Sequence, residues 1–181
     1  MVMARAQSRD PDPPMPQGGG GPGPLGGRLN LLLSYAGWHP EPWVDHLPRL
    51  LEPMGVSSLR AGTGREASEL IRTHRIHVAV VDLGLPLDDR DPCAEEGGPR
   101  LLELLARLEN SPPTVAVKPP RTSAEDRRCL NAALRLGAFA VVDRPRGLAD
   151  LNVMLEVLQR ALSRFYRGQW PSAGEAFPSV T

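Results

Sequence analysis

The residue best placed to do chemistry in this sequence is an aspartate at the end of an apolar run. Val78-Ala79-Val80-Val81-Asp82 passes directly into Leu83-Gly84-Leu85-Pro86. One apolar residue after another, three of them β-branched, reads as a strand buried on both faces. In an open parallel α/β sheet, ligands and reacting groups sit outside the carboxyl ends of the strands, so Asp82 stands where a reactive carboxylate would stand. The plainer reading is an aspartate that ends a strand and caps the turn after it. Ser34 and His39 fall near the same sheet edge and with Asp82 superficially offer a nucleophilic Ser/His/Asp set. Ser34 lies in LLLSYAG, however, not in the GxSxG of a nucleophile elbow. All strand ends meet at that edge, so the fold alone would bring these residues near one another. The expectation is a protein that is not an enzyme.

Other chemistries find less support. The glycines of Gly18-Gly19-Gly20-Gly21-Pro22-Gly23-Pro24 follow no strand and precede no GK[ST], so they do not read as a phosphate-binding loop. Cys93 and Cys129 have neither CxxC spacing nor a nearby histidine pair, which suggests reduced thiols and no metal centre. His46, His74 and His77 read as solvated or helix-end histidines. With 21 basic and 21 acidic side chains, no net charge steers the chain towards nucleic acid or anionic lipid. No apolar run approaches the roughly 18 residues needed to span a bilayer, and no charged-then-apolar leader opens the sequence. A cytoplasmic, soluble protein is expected.

The elements that must position Asp82 alternate in texture. Residues 1–27 are rich in Pro and Gly, with little to bury, and read as a disordered tail. Strands are expected at Leu29–Ser34, Val56–Leu59, Ile76–Asp82, Thr114–Val117 and Phe139–Val142. Helices are expected at Trp43–Met54, Glu66–His74, Pro99–Leu108, from the capping box Thr122-Ser123-Ala124-Glu125 to Leu136, and at Leu148–Leu162. Pro48 should kink the first helix or delay its start, and Gly55 should end it. Five strands alternating with five helices imply a flavodoxin-like α/β fold. Its parallel sheet would be ordered 2-1-3-4-5, with helices on both faces. The domain is drawn at 28–163 and a C-terminal tail at 164–181. In that tail Phe165, Tyr166, Trp170 and Phe177 either pack back on the last helix or form a docking peptide.

Over residues 29 to 163 the chain resembles the receiver domain of two-component response regulators. The resemblance rests on AGTGREASELIRTHRIHVAVVDLGLP, on GGPRLLELL after it, and on LRLGAFAVVDRP. It implies that Asp82 occupies the place of the phosphoacceptor that a histidine kinase would serve. It also marks departures. Ser34 and Tyr35 stand where the family has the acidic pair that holds Mg²⁺. Lys118 replaces the Ser or Thr that reads the phosphoryl group, Val141 the aromatic switch residue, and Arg144 the lysine before proline. Mg²⁺ favours carboxylate oxygens in an octahedral shell, so the site as written has lost most of its affinity for the ion.

These departures imply a degenerate site, a pseudo-receiver, in which Lys118 and Arg144 arrive from the last two strands and together neutralise Asp82 without a metal. The expected function is a stand-alone module that signals by protein contact, with no cofactor. Its partner would be a histidine kinase or another signalling protein, or a second copy bound through the strand-five and helix-five face. One alternative is a single-domain response regulator still phosphorylated on Asp82 with Mg²⁺. Another is a small-ligand sensor using Trp38 and Trp43 as a roof over the site. These tryptophans are notable in a chain only 4% aromatic.

Overall fold

Leu31, Leu32 and Leu33 are consecutive and all three are fully buried, as in a strand covered on both faces. The computed structural model describes residues 28–36, 42–88, 97–120 and 122–167. In chain order these form β1 (Leu29–Ser34), α1 (Pro42–Leu51), β2 (Val56–Ala61), α2 (Gly64–Thr73) and β3 (Val78–Asp82). They continue with α3 (Gly97–Ala106), β4 (Thr114–Lys118), α4 (Ser123–Arg135), β5 (Ala140–Asp143) and α5 (Leu148–Phe165). The five strands are parallel and ordered β2-β1-β3-β4-β5, as the alternation of textures requires. The fold is the flavodoxin-like doubly wound sheet.

The sheet separates two cores. Leu31, Leu33, Val80 and Val117 pack with α1 and α5 on one face. Leu32, Val81 and Ala116 pack with α2, α3 and α4 on the other. Strand side chains alternate between faces with a period of two, so each strand residue has an assigned side.

Several boundaries differ from the sequence reading for identifiable reasons. Pro48 does not delay α1, which starts at Pro42 and contains it, although a proline donates no bond to the preceding turn. A 3₁₀ turn over Glu52–Met54 follows, and Gly55 ends it with a φ of 78°, the left-handed conformation that favours glycine. Thr63 caps α2 by accepting from the Glu66 amide at 3.1 Å, while the Gly62 amide donates to Glu66 Oε2 at 2.7 Å. This threonine N-cap, with Glu66 tying down the amide just before it, starts α2 two residues earlier than its apolar spacing suggests. β3 starts at Val78 rather than Ile76. The Asn30 amide donates to the imidazole Nδ1 of His77 rather than to a ladder carbonyl. α3 begins at Gly97, and α5 continues to Phe165, three residues past the expected end at Leu162. No helix among the described residues is long and apolar enough to cross a membrane.

Candidate functional site

The sheet's pleat decides which strand-end side chains can meet. Asp82 follows Val81, which faces α2, α3 and α4, so Asp82 belongs to the opposite side of the strand. Register pairs Asp82 with Val117, and Lys118 with Asp143. Val117 and Asp82 therefore share one side, while Lys118 and Asp143 share the other. Arg144, one residue beyond Asp143, returns to the side of Asp82.

The contacts follow this alternation. Asp82 is 1% exposed, and its Oδ2 accepts from the Arg144 guanidinium at 2.6 Å. Its Oδ1 accepts from the Gly84 amide at 2.8 Å, closing the turn after β3. Both carboxylate oxygens are thus engaged by the protein. The Arg144 side chain is 15% exposed, so this ion pair is largely removed from water.

Lys118 does not join that pair, contrary to the three-residue cluster expected from the sequence. Its Nζ lies 2.7 Å from Asp126 and 2.5 Å from Asp143. Asp126 belongs to the first turn of α4, on the face of the sheet that the pleat assigns to Lys118. Lys118 therefore ties the end of β4 to α4 and to the end of β5. Hydrogen bonds to Asp126 and then Asp143 raise its pKa above the usual 10.5. Neither acid was singled out by sequence reasoning. The signal for Asp143 was its position one residue before Arg144, at the parity of Lys118.

Ser34 and Tyr35 are not arranged as cation ligands. Ser34 is fully buried, and its hydroxyl donates to the Val80 carbonyl at 3.1 Å. Tyr35 is half-buried and packs against the α1/α5 core. Val141 packs against the opposite core, beside α3 and α4. Among the described residues at this sheet edge, an octahedral oxygen shell would draw on one carboxylate, already held by Arg144 and Gly84, and this donor set does not fit Mg²⁺. Among the described residues there is no group of three or more His, Cys, Asp or Glu able to hold a metal ion. Trp38, His39 and Cys93 lie outside the described residues, as does the Trp43 side chain, so the roof over the site falls outside them.

The turn under Asp82 is fixed by close backbone approach. A Cβ on Gly98 would lie 2.4 Å from the Asp82 carbonyl oxygen, and one on Gly97 would lie 2.3 Å from the Pro86 carbonyl oxygen. Only glycine lets α3 start this close to the loop that carries Asp82.

A second polar cluster lies at the amino end of β3. His77 is neither solvated nor at a helix end. Its Nδ1 accepts from the Asn30 amide at 2.9 Å, and its carbonyl accepts from the Tyr166 hydroxyl at 2.7 Å. The two rings meet edge to face at 5.8 Å. Burial, with Arg75 nearby, lowers the His77 pKa below 6.5. Burial raises that of Tyr166 above 10.0. His46 is exposed on α1, and His74 caps the end of α2, as expected. Phe165 packs edge to face on Phe139, whereas Trp170 and Phe177 lie outside the described residues.

The fold is shared with solved receiver domains. A CheY-like response regulator receiver domain from Methanospirillum hungatei JF-1 has a TM-score of 0.58 and 19% identity, covering 77% of this chain and 97% of that one. The signal receiver domain of an HD domain-containing protein from Pseudomonas fluorescens Pf-5 has a TM-score of 0.57 and 18% identity, over 77% and 98%. A response regulator from Burkholderia pseudomallei, solved with a phosphorylated aspartic acid, a calcium ion and citrate, has a TM-score of 0.55 and 20% identity, over 75% and 69%. No protein-family model matches the sequence, and no curated protein matches it.

Proposed function

We propose that this protein is a receiver-fold signalling module that acts by protein contact, with Asp82 held by Arg144 instead of serving a metal-dependent phosphorylation switch. The observation that carries this reading is the buried 2.6 Å pair between Arg144 and Asp82, completed by the Gly84 amide. In phosphoryl transfer a divalent ion offsets the charge that gathers as phosphate meets a carboxylate. Here a fixed guanidinium already neutralises the carboxylate, and the end of β1 supplies no second acid. The shared fold supports a place in two-component signalling. The module has no catalytic activity of its own and requires no cofactor.

The partner-binding face in this reading is formed by α4, β5 and α5. Leu130, Leu134, Leu148 and Val153 are exposed there, more apolar surface than a charged helix face needs. A histidine kinase, another signalling protein or a second copy of the chain would bind it.

One observation favours the alternative of a phosphorylated single-domain regulator: β3 ends in an aspartate, and the Burkholderia pseudomallei neighbour was solved with a phosphorylated aspartic acid. Acetyl phosphate and Mg²⁺, followed by intact mass measurement, separate the two. An unchanged mass is expected. A stoichiometric gain of one phosphoryl group, absent in Asp82→Asn, would replace the proposal with that alternative.

A further inference from the structure

A groove of about 410 Å³ opens between α3 and α4, with Leu83, Leu102, Ala132, Ala133 and Leu136 among its walls. Its origin lies in the composition of α4. This helix turns two alanines towards α3, while Leu130 and Leu134 stay 37% and 47% exposed. Ala133 is the only residue of α4 that is fully buried among those described. Side chains this small leave the space between the helices unfilled, and a volume of this order suits a small organic ligand.

The rim is chemically biased. Glu125 and Arg128 both reach it. Glu125 is engaged in the α4 cap, its Oε2 accepting from the Thr122 hydroxyl at 2.7 Å and from the Thr122 amide at 3.3 Å. Arg128 has no acidic partner among the described residues. An apolar trough with one uncommitted guanidinium at its mouth complements a molecule with an apolar body and one anionic head.

We infer that the groove between α3 and α4 binds a small anionic amphiphile, its apolar body lying against Leu83, Leu102 and Ala132 and its head group on Arg128. This site is separate from the Asp82–Arg144 pair and does not depend on whether Asp82 takes phosphate. It nonetheless touches the residue next to Asp82. Leu83 is a wall of the groove, and its backbone amide is fixed by the Val117 carbonyl at 2.8 Å. Occupancy therefore bears on the β3 turn that presents Asp82.

The test uses the full chain with anilinonaphthalene sulfonate as a fluorescent probe and decanoate as competitor. Saturable binding of one probe per chain, displaced by decanoate, is expected. Ala132→Phe fills the groove and should weaken both ligands about tenfold or more, and Ala132→Met should act in the same direction. Arg128→Gln should weaken both about tenfold while leaving competition by uncharged decanol within about twofold. Urea melts confirm that each variant is folded. Probe affinity unchanged in folded Ala132→Phe and Ala132→Met would overturn the inference. So would loss of binding in Asn131→Ser, an exposed α4 position outside the groove. A groove variant that abolishes self-association without changing probe affinity would make a second copy the occupant and would also overturn it.

Discussion

Arg144 and Asp82 are separated by 62 positions in sequence, yet their side chains meet at 2.6 Å with the carboxylate almost completely buried. The pair joins the third strand to the end of the fifth across β4, so it reports on the register of half the sheet. Removing one partner of a buried pair leaves an uncompensated charge and commonly costs about 3–5 kcal/mol. Asp82→Ala and Arg144→Met should each destabilise the protein by that order in urea melts. The double mutant should lose clearly less than the sum. A zero coupling energy would mean that the pair contributes nothing as a unit.

Lys118 should be independent of that cycle, because the pleat places it on the other side of the sheet. Combining Lys118→Met with Asp82→Ala should give additive losses to within about 0.5 kcal/mol. Lys118→Met alone should cost about 1 kcal/mol, since Asp126 is partly and Asp143 largely exposed. Its effect should be local, with faster amide exchange in the first turns of α4. Recovery of stability by Lys118→Met in the Asp82→Ala background would mean that the two groups do share a site.

Alkaline pH gives a second reading of Lys118. Its folded pKa is raised, so its contribution is complete below 10.5 and is lost as pH rises through the raised value. Tyr166 acts in the same direction from 10.0, because burial disfavours its phenolate. Stability should fall above about pH 10, and the fall should be shallower in Lys118→Met and in Tyr166→Phe. An unchanged slope in both variants would remove these residues as its source.

Acid pH should act through His77. Its folded pKa is lowered, so the neutral ring contributes fully above 6.5, and that contribution is lost as pH falls through the lowered folded value. Protonation ends the ability of Nδ1 to accept from Asn30. It also places a second cation near Arg75, beside the Tyr166 ring. Urea midpoints should therefore drop as pH falls below 6.5, less steeply in His77→Gln. Tyr166→Phe should lose roughly 1 kcal/mol at neutral pH from the broken bond to the His77 carbonyl.

Gly98→Ala tests the close approach beneath Asp82. Alanine normally improves a helix by about 1 kcal/mol, but here its methyl meets backbone atoms that cannot rotate away. A net loss of about 1–3 kcal/mol is expected, together with displaced Leu83 and Gly84 amide shifts in NMR spectra. A stabilised variant would show that α3 can retreat freely from the β3 turn.

Order and type of the elements, and with them the place of Asp82, are legible from local sequence alone. Short apolar runs such as LLL and VAVV, bounded by turn residues, read as strands because a sheet covered on both faces hides consecutive apolar side chains. The capping box at Thr122, the Thr63 cap and Gly55 likewise act through bonds and dihedral angles within a few residues. Which charges meet was decided by tertiary structure. Lys118 and Arg144 are both cations near strand ends, and nothing in their types says that one pairs with Asp82 and the other with Asp126 and Asp143. That choice depends on the register of β3, β4 and β5 combined with the period-two alternation of each strand. Register is set by how the crossover helices pack. The same holds for His77, whose bonds to Asn30 and Tyr166 join residues 47 and 89 positions away. Local sequence fixes what a side chain can do, but long-range packing selects its partner.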